Sequence, residues 1–119
     1  MIDLQITGRH FELDARVVKY AQSKLGQLDR YILKQVPHVH GHVVLEFDKS
    51  GREDNSFVCE VSINLPKSQL YAKEATLNMY AAIDICEAKI KSQVLKYKEK
   101  HMPKRGRLLK FWKPSDDNS

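Results

Sequence analysis

The sequence predicts an α+β domain with the element order β-α-β-β-β-α, a four-stranded mixed sheet with two helices packed on one face. Four stretches alternate apolar and polar residues at the period of a strand, and two others carry apolar stripes at helical period. Each alternating stretch has one apolar face, which places both helices on the same side of the sheet and leaves the other side open to solvent.

The elements follow in order. Ile2, Leu4 and Ile6 point one way and Asp3, Gln5 and Thr7 the other, a half-buried strand ended by Gly8. Asp14 is a candidate N-cap for a helix whose stripe is Val17, Ala21, Leu25, Leu28 and Ile32, a spacing that predicts helix until Pro37 stops it. Val39, Gly41, Val43, Leu45 and Phe47 form the apolar side of a second strand, with His38, His40, His42, Val44 and Glu46 on the other. Asp48 to Ser56 reads as a hairpin connection. A third strand follows, with Phe57, Cys59, Val61, Ile63 and Leu65 on its apolar side. Pro66 to Ser68 then turns the chain into a short fourth strand around Leu70 to Ala75. Asn78 or Thr76 caps a long second helix with the stripe Met79, Ile83, Cys86, Ile90, Val94 and Tyr97, running to about His101 before Pro103. The first connection is a right-handed parallel crossover if the two strands are neighbours, and the last three strands are an antiparallel meander. This gives one domain over residues 1–102 and a basic, partly ordered tail over 103–119 without clear periodicity.

At 119 residues, 42% hydrophobic and 29% charged, the chain has the make-up of one globular domain. No apolar run approaches the roughly 20 residues of a membrane span. Met1 to Gln5 lacks the basic and apolar regions of a signal peptide, so a cytoplasmic setting is expected. Cys59 and Cys86 both lie on apolar stripes, which favours buried, reduced thiols that approach each other across the sheet–helix interface.

Charge is unevenly placed. The net +5 is the balance of a body, residues 1–88, at −2, a segment 89–113 at +9 with Glu99 as its only acid, and a final six residues at −2. Such a segment points to an anionic partner. At about 100° per residue, Arg16, Lys19, Arg30 and Lys34 fall within roughly 60° of each other, opposite the first helix's apolar stripe. On the second helix Lys89, Lys96 and Lys100 line one edge of the stripe and Lys91 and Lys98 the other. Lys104, Arg105, Arg107, Lys110 and Lys113 extend the surface. A broad cationic face of this kind contacts many phosphates and releases their counterions. Phe111 and Trp112 are placed either to stack on unpaired bases or to fold back on the domain.

Sites of chemistry are sparse. His38, His40 and His42 share a strand face at a spacing of about 6.5–7 Å, close enough for two to share a metal. No Cys or carboxylate at ligand spacing completes a tetrahedral set, although Glu46 continues the face, so polar residues facing a partner are the better reading. There is no Gly-rich phosphate loop, no nucleophile elbow and no acid pair in a recognisable context. No catalytic residue, metal or cofactor is expected, and the domain reads as a binding protein without enzymatic activity.

Four stretches carry a resemblance: Ile6-Thr7-Gly8-Arg9-His10; Lys24-Leu25 with Leu28-Asp29-Arg30-Tyr31; Met79-Tyr80-Ala81-Ala82-Ile83-Asp84; and the lysine run from Lys89 to Lys100. Over residues 2 to about 101 the chain resembles the ribosome hibernation promoting factor family, which includes the ribosome-associated inhibitor. The resemblance implies a fold similar to a double-stranded-RNA-binding domain. It also implies binding to the small ribosomal subunit in the channel of messenger and transfer RNA, and silencing of translation in stationary phase or stress. Lys24, Lys89, Lys96, Lys98 and Lys100 match basic positions of the family. Val18, Gln27 and Ser92 stand where relatives often carry basic residues, and Asn78 replaces a usual Asp. The second domain of the long family members is not matched. The implied partner is ribosomal RNA, with no membrane or small-molecule substrate, and the protein is expected as a monomer off the ribosome. Two other readings stand beside this one: a general double-stranded-RNA-binding module acting off the ribosome, and a metal- or thiol-dependent enzyme built on the histidine strand.

Overall fold

The computed structural model describes residues 2–32, 38–50 and 55–101. Its elements are β1 (Ile2–Arg9), α1 (Ala15–Gly26), a 3-10 turn (Gln27–Tyr31), β2 (Val39–Phe47), β3 (Phe57–Leu65), β4 (Ser68–Thr76) and α2 (Met79–His101). They form one four-stranded sheet in the order β1-β2-β3-β4, with β1 parallel to β2 and the other pairs antiparallel. This is the predicted architecture.

The core lies between the sheet's inner side and the two helices. Leu45, Cys59, Val61 and Ile63 from the strands meet Ala21, Leu25 and Leu28, and Ile83, Cys86 and Ile90, all fully buried. On α2 the stripe Met79, Ile83, Cys86, Ile90 and Val94 is buried as its period requires, and it seats the helix on β3 and β4. The outer side of the sheet carries exposed Asp3, Gln5, His40, His42, Asn64, Gln69, Tyr71 and Lys73, with Val44 and Val58 buried among their neighbours.

Caps fix where the helices begin. Asp14 accepts a hydrogen bond from the Val17 amide at 2.9 Å, and Asn78 accepts one from Ala81 at 2.8 Å. Thr76 does not cap α2 directly; its hydroxyl bonds the backbone of Asn78 and holds the entry to the helix. Gly8 lets the chain turn back under β1, since a Cβ there would sit 2.5 Å from the Phe11 carbonyl oxygen.

Two predictions need correction. The fourth strand is not short: at Ser68–Thr76 it is as long as β2 and β3, because it pairs with β3 along its whole length. The first helix does not run to Pro37: its α-helical part ends at Gly26, and the chain tightens into the 3-10 turn before Ile32 takes an extended conformation. Leu25 and Leu28 are three residues apart, a spacing both helix types bring to one side, so the apolar stripe continues while the helix changes. Arg30 therefore sits on the 3-10 turn rather than in line with Arg16 and Lys19, and Lys34 lies outside the described residues.

The sheet edge at β4 is sealed by a side chain. The Gln93 carboxamide accepts from the Tyr71 amide at 2.9 Å and donates to the Tyr71 carbonyl at 2.7 Å, pairing backbone groups that an edge strand otherwise leaves open. Truncating Ile90 to Ala should cost about 2–5 kcal/mol in denaturant unfolding through the cavity it leaves. The same change at Leu77, which is 66% exposed, should cost less than about 0.5 kcal/mol.

Candidate nucleic-acid interface

α1 and α2 lie side by side, and the groove between them is closed by a small polar network. Tyr20 on α1 donates its hydroxyl to the Asp84 carboxylate on α2, and its ring meets Tyr80 edge-on at 5.0 Å between centroids. Lys24 Nζ lies 3.8 Å from the same carboxylate. About two turns further along α2, Lys91 Nζ sits 4.8 Å from the centre of the Tyr31 ring, a cation–π contact. Asp84 thus anchors both a phenol and an ammonium from the neighbouring helix. Its hydrogen bond, with partial burial and its negative charge, pushes the Tyr20 hydroxyl up to about 12.

These contacts sort the predicted cations. Lys24 and Lys91 are half-buried and help join the helices while facing outward at the groove. Lys89 is exposed but bonded at 2.7 Å to Glu74 of β4, which raises its ammonium pKa through the hydrogen bond and the opposite charge. Arg16, Lys19, Arg30, Lys96 and Lys100 are exposed, and Lys98 is half-buried. No ion pair involves these six among the described residues. Lys104, Arg105 and Arg107, with Lys110, Phe111, Trp112 and Lys113, lie outside the described residues.

The outward side of α2 has more structure than a row of charges. Ala81, Ile85, Ala88, Ser92 and Leu95 recur at three- and four-residue spacing along it, with Ile85 38% and Leu95 42% exposed. This neutral strip separates Lys89, Lys96 and Lys100 from Lys91 and Lys98. Charge counting did not find the strip, although its period is readable in the sequence.

Elsewhere the side chains are arranged for structure. On the outer sheet face His42 Nε2 and Thr7 Oγ1 share a hydrogen bond at 2.9 Å, and His40 Nδ1 lies 3.5 Å from Asp3. No group of three or more His, Cys, Asp or Glu side chains is placed to hold a metal among the described residues. Cys86 donates its thiol to the Cys59 carbonyl at 3.2 Å, and both cysteines are free and buried. The contact with Cys86, together with burial, pushes the Cys59 thiol up, which suits a packing residue and not a nucleophile.

Against known proteins, residues 4–102 match the family described as sigma 54 modulation protein / S30EA ribosomal protein. The chain belongs to this family. It is 33% identical over 99 residues to the ribosome hibernation promotion factor of Staphylococcus aureus (strain COL), an alignment covering 82% of this chain and 49% of that relative. The chain therefore spans about half the length of that curated relative. Among solved structures, the N-terminal domain of Thermus thermophilus Protein Y superposes with a TM-score of 0.65 at 27% identity, covering 81% of this chain and 97% of that one. A ribosomal subunit interface protein from Coxiella burnetii gives a TM-score of 0.65 at 20% identity over 83% of this chain and 99% of that one, a likeness of fold. The resemblance read from the four sequence stretches thus holds. The family is one of ribosome-associated factors and not of enzymes. No helix among the described residues is long and apolar enough to cross a membrane.

The Tyr20–Asp84 bond has a measurable signature. In a spectrophotometric titration of the five tyrosines, Tyr20 should ionise near 12, and Asp84→Asn should move it back toward about 10. Because the folded pKa is raised, the bond's contribution to stability is fully present below about pH 10 and fades as pH rises through about 12. If the variant leaves the tyrosine profile unchanged, the bond does not hold in solution.

Proposed function

We propose that the chain binds the small ribosomal subunit in the channel used by messenger and transfer RNA and so inhibits translation in stationary phase or stress. It acts in the cytoplasm, as a monomer off the ribosome. The observation that carries this reading is the one-sided cationic surface of two cross-braced helices in a chain of a ribosome-associated family. Arg16, Lys19, Arg30, Lys96, Lys98 and Lys100 are the contacts assigned to phosphate, with Lys24, Lys89 and Lys91 set beside them by their internal partners. Lys34, Lys104, Arg105 and Arg107 are proposed to extend the same surface.

Inhibition of this kind needs no reaction. A rigid domain that occupies a nucleic-acid channel excludes the RNA that normally fills it, and its affinity comes from phosphate contacts and from fit to RNA shape. Rigidity matters because side chains ordered before binding lose less entropy on contact. The bracing of α1 against α2 by Asp84, and of the 3-10 turn against α2 by the Lys91–Tyr31 contact, supports that preorganisation.

Co-sedimentation with purified small subunits and with free duplex RNA over a salt series tests the reading. Selective pelleting with the small subunit is expected, with log K falling by about 0.7–0.9 per log unit of salt for each phosphate contact. The triple variant Arg16→Glu/Lys19→Glu/Lys98→Glu should weaken association at least tenfold while its unfolding midpoint stays within a few degrees of the parent. Unchanged pelleting of the folded variant would overturn the proposed surface. Equal binding to free duplex RNA would favour a general RNA-binding module instead.

A further inference from the structure

We propose that the cleft between the β3–β4 turn and the C-terminal half of α2 is a phosphate-binding site built by Lys67, Lys96 and Lys100. For an RNA phosphate the inference rests on the functional reading above; for a phosphate of a free polyphosphate it does not.

The cleft has a volume of about 260 Å³, and its lining brings the three lysines together with Ser68 and Tyr97. Leu70 and Gln93 complete the lining, and no acid contributes to it. Lys96 and Lys100 are one helical turn apart on α2, so both heads reach the same opening, while Lys67 approaches from the opposite wall on the turn. Three cations on converging walls suit a multiply charged oxyanion better than they suit each other.

The backbone points the same way. Leu65 pairs with Ser68, so Pro66 and Lys67 are the two central residues of a tight hairpin turn. Lys67 takes a φ of 63°, a left-handed conformation usually given to glycine or asparagine at the second central position of such a turn. A lysine held there is a strained choice for a turn that needs no side chain, and strain of this kind tends to collect at binding sites. The turn is also fixed in place. Tyr97 donates its hydroxyl to the Pro66 carbonyl at 3.0 Å, and Gln93 holds the Tyr71 backbone further along β4. The spacing between the lysine-bearing walls is therefore set before any anion arrives.

Lys67 lies outside the 89–113 basic segment, so a reading by charge blocks passes over it, and only the turn returns it to α2.

Lys67→Gly provides a clean test, because glycine suits the backbone of the turn and takes away the side chain that carries the charge. The variant should unfold at the same temperature as the parent or higher. Two titrations of the full chain then decide. In the first, inorganic pyrophosphate is added to ¹⁵N-labelled parent and variant, and the amide shifts of Ser68, Gln93 and Lys96 are followed. In the second, small-subunit co-sedimentation is measured across salt. Parent shifts lost in the variant, together with several-fold weaker subunit binding and a salt slope smaller by about one, establish an RNA phosphate site. Lost shifts with unchanged subunit binding establish a site for free polyphosphate. Should the parent fail to bind subunits at all, the functional reading falls and the pyrophosphate shifts alone judge the cleft. No shift in the parent, and no change in subunit affinity in the variant, overturns the proposal.

Discussion

The seating of one apolar stripe places most of the charged surface. Met79, Ile83, Cys86, Ile90 and Val94 bury one side of α2 against β3 and β4, and a helix with one side committed turns its remaining residues toward solvent. Lysine is rarely buried without a partner, so the five lysines between Lys89 and Lys100 have only the edges and outer side of the helix available. The placement of charge on this surface is a consequence of the packing beneath it. The sheet contributes by being closed on one side only, which forces α1 into the place beside α2 and makes one face from two helices.

What joins those helices is chemically different from what seats them. The contact between α1 and α2 is partly polar, with Asp84 meeting Tyr20 and Lys24, and Lys91 rests over Tyr31 of the adjoining 3-10 turn. An acid within a cationic surface at first looks opposed to nucleic-acid binding. Here it is occupied by the neighbouring helix and fixes the surface at limited electrostatic cost. Lys89 and Glu74 repeat the arrangement between α2 and the sheet. Lys89 and Lys91 of the basic segment thus have internal partners while standing at the surface, and Arg16, Lys19, Lys96 and Lys100 have no ion pair among the described residues.

Strand order, the parallel first pair, the buried stripes and the caps at Asp14 and Asn78 were legible because each rests on local periodicity or on one residue's hydrogen-bonding habit. The end of α1 was not, since Leu25 and Leu28 keep the stripe running through either helix type. Features created by long-range contact were also invisible: Gln93 closing the edge of β4 is 22 positions from its partner, and Tyr20 is 64 positions from Asp84. The predicted cations proved to be of two kinds, paired and unpaired, and composition alone cannot divide them. Lys67 escaped because turns are read for Gly, Pro and Asn, and a lysine in a left-handed conformation gives no pattern.

We propose that this domain and messenger RNA compete for the same place on the small subunit. The most direct measurement is displacement of a fluorescently labelled messenger RNA from purified small subunits as the protein is titrated. Complete release is expected, with a midpoint that rises in proportion to the messenger concentration and with salt. Saturating protein bound to subunits that still hold their messenger would contradict it.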